Sequence, residues 1–95
     1  MKKFVFLTIG FEKPTPEIME AWGQWLGSIK ESIVEMGHMA NGREISDAGT
    51  AELPMDLSAI TGFMIVTAES IEAAEQLAAG NPYITSIRIY ELMSG

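Results

Sequence analysis

Residues 62–84, GFMIVTAESIEAAEQLAAGNPYI, place a strand, a helix start and a helix stop in close succession. The apolar block that opens the stretch is typical of a strand, and Ser70 with Glu72 predicts the first turn of a helix. Gly80 predicts a left-handed helix end, and Pro82 prevents its continuation. The helix carries a narrow apolar stripe, formed by Ile71, Ala74, Leu77 and Ala78. The stretch is therefore a β-α unit whose short helix lets the chain return to a sheet.

The first apolar segment, residues 4–11, predicts another strand because it is rich in aromatic and β-branched side chains. Both of its alternating faces are apolar, one carrying Phe4 and Phe6 and the other Val5, Leu7 and Ile9. A strand that is covered on one side only should alternate between apolar and polar residues. We therefore expect this sheet to be covered on both faces.

A long amphipathic helix is predicted next, with Thr15 as its N-cap and Gly37 at its end. Its apolar arc contains Ile18, Met19, Trp22, Trp25, Leu26, Ile29, Ile33 and Met36. The two tryptophans are interpreted as core residues. Gly23 and Gly27 lie four residues apart in this helix, and they are either tolerated at its edge or admit close approach by a backbone or a ligand.

Residues 38–58 are less regular. HMANGREIS predicts a second strand that is interrupted at Asn41-Gly42, and DAGTAELPMD predicts a long connection or an irregular hairpin. AITGFMIVTA and SIRIYELM predict the last two strands. The resulting β-α-β-β-α-β order predicts one α+β domain over residues 1–95 with a ferredoxin-like fold, in which two helices cover one face of a four-stranded antiparallel sheet. A second copy of the chain is the simplest cover for the other face, which predicts a homodimer.

Composition excludes several classes of function. The chain carries a net charge of −7, and its six basic residues are scattered, which argues against a nucleic-acid partner. There is no cysteine and one histidine, so no metal site and no cofactor are predicted. No apolar run reaches the roughly 18–20 residues that span a bilayer. MKKFVFLTIGF imitates a signal peptide, but Glu12 and Lys13 follow at once without a cleavage site, so a first strand in a cytoplasmic protein is expected.

The opening strand, the tryptophan-bearing helix, TGFMIVTAESIEAAEQLAAGNPYI and SIRIYELM together resemble the YCII-related (DGPF-type) domains of the dimeric α/β-barrel superfamily. The resemblance implies a homodimer in which two sheets face each other, with pockets near the barrel ends. Some relatives carry a histidine–aspartate pair proposed for acid–base chemistry, with the histidine in the first helix, where this chain has Trp22 and Trp25. The Asp-Gly-Pro-Phe signature is replaced by PMDLSAITG. The resemblance therefore transfers no catalytic residue to this chain.

Residues near the end of the first helix supply one candidate pair. His38 could act as a general acid or base near neutral pH, and Asp47 is the nearest aspartate that could orient it. The alternative is that His38 is simply a polar residue beyond the helix end.

The last strand supplies the other candidates. If Ile87 and Ile89 face the helices, Arg88 and Tyr90 lie on the opposite face of the sheet. Inside a dimer barrel, Arg88 requires either a carboxylate of the other chain or a small anionic ligand.

Two functions from different classes remain open. The first is a small-molecule-binding protein or cofactor-independent enzyme with its pocket in the barrel, in which His38 or Tyr90 would move a proton and Arg88 would hold an anionic group. The second is a non-catalytic dimerisation or accessory module. A cavity lined by Arg88, Tyr90 or His38 favours the first, and a fully packed barrel favours the second.

Overall fold

A computed structural model describes residues 1–93, so Ser94 and Gly95 of the predicted domain lie outside the described residues. The elements in chain order are β1 (Lys2–Ile9), α1 (Pro16–Ile29) with a short 3-10 turn (Lys30–Ser32), β2 (Ile33–His38), β3 (Arg43–Ser46), β4 (Gly49–Glu52), β5 (Ile60–Ala68), α2 (Ile71–Ala78) and β6 (Ser86–Leu92). None of the described helices is long and apolar enough to cross a bilayer.

Four of the strands form one antiparallel sheet in the order β2-β5-β1-β6. Both helices pack on the same face of this sheet, where they share one core with β1 and β5. The predicted α+β, ferredoxin-like architecture is confirmed. Its second β-α unit is as predicted, because the Ser70 hydroxyl accepts a hydrogen bond from the Ala73 amide and Gly80 has a φ of 83°.

The core lies between the helices and the two central strands. Phe4 lies opposite Val66 and Phe6 lies opposite Met64, and all four side chains are buried. Trp25 is buried against them, and its indole N–H donates a hydrogen bond of 3.1 Å to the carbonyl of Leu77 in α2. The interpretation of Trp25 as a core residue is therefore confirmed, and this hydrogen bond links the two helices.

The first helix is shorter than predicted. It ends at Ile29, and the segment from Ile33 that should have continued it is strand β2. The pairing of β2 with β5 shifts register between Ile33 and Glu35, so Ile33 and Met36 both face the helices although they are three residues apart. That bulge reproduces the spacing of a helical stripe in a strand, which explains why the helix prediction ran too far.

Gly37 has a different role from the predicted helix end. It lies in β2 opposite Phe63, and a Cβ atom added to it would lie 2.6 Å from the aromatic ring of Phe63. A side chain at this position would therefore force the Phe63 ring to shift.

The prediction for HMANGREIS was also wrong in part. Its residues Arg43–Ser46 pair with Gly49–Glu52 rather than with the main sheet, and all eight residues of this β3–β4 hairpin are exposed. Asn41 precedes it with a φ of 56°. The hairpin stands away from the body of the domain because neither of its faces carries an apolar set that could pack.

The face of the sheet that points away from the helices is uncovered in the single chain. Val5 lies opposite Ile65 and Leu7 opposite Phe63 on this open face, where they are only partly buried. The accessible surface is 6728 Å², whereas a compact monomer of this mass exposes about 5,400 Å². The radius of gyration is 14.4 Å, against about 12 Å for a compact domain of this length. The uncovered sheet and the projecting hairpin account for the difference.

Candidate functional site

A cavity of about 690 Å³ lies between α1 and the helix-facing side of the sheet. It is partly open to solvent, and the loop after α2 forms one of its walls. The sequence resemblance implied pockets near the barrel ends, but this cavity lies mainly on the helix side of the sheet, and Gly37 and Phe63 are the residues of the open-face row that also line it.

The floor of the cavity is formed by short side chains. Thr8 of β1 lies opposite Gly62 of β5, which in turn lies opposite His38 at the end of β2. A Cβ atom at Gly62 would lie 2.8 Å from the Thr8 hydroxyl oxygen, so a side chain at this position would fill the floor. The threonine and the glycine of this row leave space between this part of the sheet and α1.

The wall opposite the floor is formed by residues of α1 between Ile18 and Leu26. The buried side chains of this helix, Trp25 and Ile29, lie in its second half, whereas Trp22 is partly buried and Met19 is 65% exposed. The two indole rings pack edge to face with their centroids 5.6 Å apart. Trp22, Trp25 and Gly23 all line the cavity, but Gly27 does not.

Methionine is concentrated in this cavity. Five of the seven methionines of the chain line it, namely Met19, Met36, Met39, Met55 and Met64. The thioether side chain is flexible and polarizable, and it packs favourably against aromatic rings. Together with the tryptophans, these residues form an adaptable apolar lining.

Few polar groups interrupt this lining, and it contains no lysine or arginine. The Thr61 hydroxyl is used by the fold, since it lies 3.3 Å from the carbonyl of Thr8 and 3.2 Å from that of Gly10. Asn81 is 6% exposed, and neither polar atom of its side chain has a hydrogen-bond partner within the described part of the chain. A neutral ligand suits such a cavity better than an anion.

The loop beside Met55 is held by the side chain of Asp56. The hydroxyl and the backbone N–H of Ser58 donate hydrogen bonds of 2.7 and 2.9 Å to one carboxylate oxygen of Asp56. These bonds lower the pKa of the Asp56 carboxyl below its ordinary value. The stabilisation is therefore present above the pKa of the unfolded chain and is lost as the pH falls through the lower folded value.

The structure separates the predicted pair of His38 and Asp47. His38 lines the cavity, whereas Asp47 lies in the exposed turn between β3 and β4. Within residues 1–93, no hydrogen bond or ion pair joins the side chains of His38 and Asp47. The same residues contain no group of three or more histidine, aspartate or glutamate side chains that could hold a metal ion. His38 is thus the predicted residue that shares the cavity, without an orienting carboxylate from Asp47.

Arg88 and Tyr90 lie where the alternation of the last strand predicts. They face Leu7 and Val5 across the β1–β6 pairing, on the open face of the sheet, and both are exposed. Neither of them lines the cavity. The ion pairs found in the described part of the chain, Lys2–Glu91 and Arg43–Glu52, leave Arg88 without a carboxylate partner.

Sequence reasoning missed Asn81 as a site residue. Its signal was present, since Asn81 stands between Gly80 and Pro82, but the tripeptide was interpreted as a helix stop and as part of the family resemblance. Asparagine is common in turns for conformational reasons alone, so its burial could not be read from the sequence.

A scan against protein-family models finds no match for this chain, and a search of curated proteins also finds none. Among solved structures, the chain is similar to 5-chloro-2-hydroxyhydroquinone dehydrochlorinase from Burkholderia phenoliruptrix in complex with 2,5-dihydroxybenzoquinone. The TM-score is 0.61 at 16% sequence identity, and the match covers 98% of this chain and 95% of that one. The neighbour is a dimeric α/β-barrel protein. At this identity the likeness shows the fold alone, a ferredoxin-like α+β fold.

Proposed function

We propose that this protein binds a small, largely apolar molecule in the cavity between α1 and the sheet. The observation that carries the proposal is the cavity itself, because about 690 Å³ lies within the range of roughly 300–1,000 Å³ that is usual for small-molecule sites. Its lining is mainly apolar with a few polar groups, as in such sites. The solved neighbour is an enzyme with a small cyclic ligand, which supports a role of this general kind.

The cavity favours the binding function over the accessory module. If the protein catalyses a reaction without a cofactor, His38 is the side chain in the cavity that could move a proton near neutral pH. Tyr90 and Asp47 lie outside the cavity, so their proposed share in catalysis would require a separate site. A place among the YCII-related domains fits this fold and remains part of the proposal.

The proposal includes a homodimer. The open face of the sheet carries partly buried apolar side chains from β1 and β5, and a second copy would cover it as in the dimeric α/β-barrel proteins. The sequence predicts a cytoplasmic location. It also predicts that the protein binds no nucleic acid, membrane or cofactor, and these statements stay predictions.

Filling the cavity at Gly23 should weaken ligand binding strongly, whereas the same change at Gly27 should not. An added Cβ meets no atom within 4 Å at either glycine, but only Gly23 lines the cavity. Leucine should stabilise α1 at both positions by about 1 kcal/mol, because glycine is a poor helix former. With N-phenyl-1-naphthylamine as a neutral fluorescent ligand, we expect Gly23→Leu to bind about tenfold more weakly or worse.

Gly27→Leu is the matched control, and its affinity for the same compound should equal that of the parent. Fluorescence titration measures all three proteins, and thermal unfolding checks that both variants are folded. Equal affinities in the two variants would show that the compound binds elsewhere, and the proposed site would have to be abandoned.

Arg88 offers a second candidate site on the open face. The observation that favours it is an arginine without a carboxylate partner on a face that a second chain would cover. We expect a small carboxylic acid to raise the melting temperature of the parent protein and to lose this effect in Arg88→Met. Saturation at 100 times the dissociation constant corresponds to about 2.7 kcal/mol of stabilisation.

Arg43→Met is the control for that experiment, because Arg43 lies on the exposed hairpin near Glu52. A thermal-shift panel of carboxylic acids, combined with light scattering, distinguishes the two roles of Arg88. Dissociation of the dimer in Arg88→Met would identify an interchain ion pair, and unchanged stabilisation by the acid would remove Arg88 from the ligand site.

A further inference from the structure

Asn81 is the most unusual polar residue of the described chain. Its side chain is 6% exposed and lines the cavity. Neither the carbonyl oxygen nor the amino nitrogen of this side chain forms a hydrogen bond with any group of residues 1–93. Buried amides in folded proteins are almost always hydrogen-bonded, because burying one without partners destabilises the folded state. An apolar side chain of the same size would serve the free protein better. The amide therefore suggests a role outside the folding of the chain.

The backbone around Asn81 holds its side chain in a fixed place. Gly80 has a φ of 83°, and Pro82 restricts the conformation of the residue before it. The amide of Asn81 donates a hydrogen bond of 3.0 Å to the carbonyl of Ala78, the last residue of α2. That helix end is itself fixed by the bond from the Trp25 indole to Leu77. A group held in this way loses little conformational freedom when it binds a ligand.

The surroundings define the chemistry of the ligand. Methionine and tryptophan side chains favour a flat ring, and Glu12 is the one charged residue of the lining besides the titratable His38. No cation is present in the lining to hold an anion. A primary amide offers one acceptor and one donor side by side. The matching ligand edge carries an N–H group next to a C=O group, as in a lactam or an imide.

We propose that Asn81 determines specificity in this cavity by pairing with a neutral planar lactam or imide through two reciprocal hydrogen bonds. The Asn81 carbonyl accepts from the ring N–H, and the Asn81 amino group donates to the ring carbonyl. This inference rests on the proposed function, because it requires that the cavity be the ligand site.

The experiment compares 2-quinolone with quinoline, a pair of two-ring molecules of which the first alone carries the N–H and C=O edge. Isothermal titration calorimetry should show the parent protein binding 2-quinolone about tenfold more tightly than quinoline, since each added hydrogen bond contributes modestly in water. In Asn81→Leu, the preference for 2-quinolone over quinoline should be lost. Thermal unfolding of Asn81→Leu without ligand should occur at the parent temperature or above.

The other outcomes distinguish a failure of the role of Asn81 from a failure of the cavity as a ligand site. Equal affinities of 2-quinolone for the parent and Asn81→Leu would overturn the role of Asn81 and leave the cavity as a ligand site. Binding of neither compound, together with no binding of N-phenyl-1-naphthylamine, would overturn the proposed function. If leucine does not fit at this position, Asn81→Ala repeats the test with a smaller side chain. A marked loss of stability in both variants would show that the Asn81 amide stabilises the fold.

Discussion

Replacing Gly10 by alanine is expected to destabilise the protein by about 3 kcal/mol or more, through two separate effects. Gly10 has a φ of 108°, a region that L-residues avoid at a penalty of roughly 1–2 kcal/mol. The added Cβ would also lie 2.5 Å from the hydroxyl oxygen of Thr85 and 2.8 Å from its backbone nitrogen. Overpacking against a backbone that cannot move adds about 1–3 kcal/mol.

The backbone around Gly10 is fixed on both sides. Its N–H donates a hydrogen bond of 2.7 Å to the carbonyl of Ala59, and the Thr85 N–H donates one of 3.0 Å to Ile9. Relief of the clash would therefore break pairing at the end of β1. For a domain of this size, the expected shift in melting temperature exceeds about 12 °C, measured by circular dichroism.

Gly80→Ala is the matched comparison for this variant. Gly80 also has a positive φ, of 83°, but an added Cβ meets no atom within 4 Å. Only the conformational penalty remains, so the loss should be about 1 kcal/mol. Equal losses in the two variants would show that the contacts with Thr85 can relax, and an unchanged Gly80→Ala would mean that the end of α2 tolerates a side chain.

The elements predicted well from the sequence are those whose signals are local. The β-α unit of residues 62–84 has a capping serine and a left-handed glycine, and both act within a few residues. The alternation in the last strand placed Arg88 correctly on the face away from the helices. The end of α1 was misplaced because the bulge after Ile33 imitates helical spacing. A bulge depends on the partner strand, so the chain segment alone does not reveal it.

The cavity illustrates the other limit of sequence reasoning. It exists because Thr8, Gly62 and His38, from three different strands, lie in one row beneath α1. These residues are far apart in the chain, and neither threonine nor glycine carries a functional signal by itself. His38 was identified as a candidate by its chemistry, but its place beside Gly62 depends on the register of β2. The open face, in contrast, was predicted from β1, because both faces of this strand are apolar and the two helices cover only one face of the sheet.

Substituting Ile65 by aspartate is expected to abolish dimerisation. Ile65 lies on the open face opposite Val5 and Glu35, near the centre of the sheet. The parent protein should scatter light as a particle of about twice 10.4 kDa at micromolar concentration. A carboxylate buried in an apolar interface without a partner is penalised by several kcal/mol, so Ile65→Asp should scatter as a single chain. A folded monomer in the parent would contradict the assembly.

Ile45→Asp provides the matched control, because Ile45 lies in β3 and is 82% exposed on the hairpin. Its dimer should persist. If Ile45→Asp dissociates and Ile65→Asp stays dimeric, the interface lies on the hairpin and not on the sheet. The same pair of variants thus identifies which surface a second copy covers.

The size of the exposed surface agrees with the proposed interface on the open face. The chain exposes 6728 Å², an excess of about 1,300 Å² over a compact monomer, whereas a stable interface buries about 800 Å² on each partner.

Because the cavity lies on the helix side of the sheet, each chain holds a whole binding site in this arrangement. Ile65→Asp should therefore retain binding of N-phenyl-1-naphthylamine wherever it remains folded, measured by fluorescence titration below its melting temperature. Loss of binding in a folded monomer would show instead that the second chain completes the cavity.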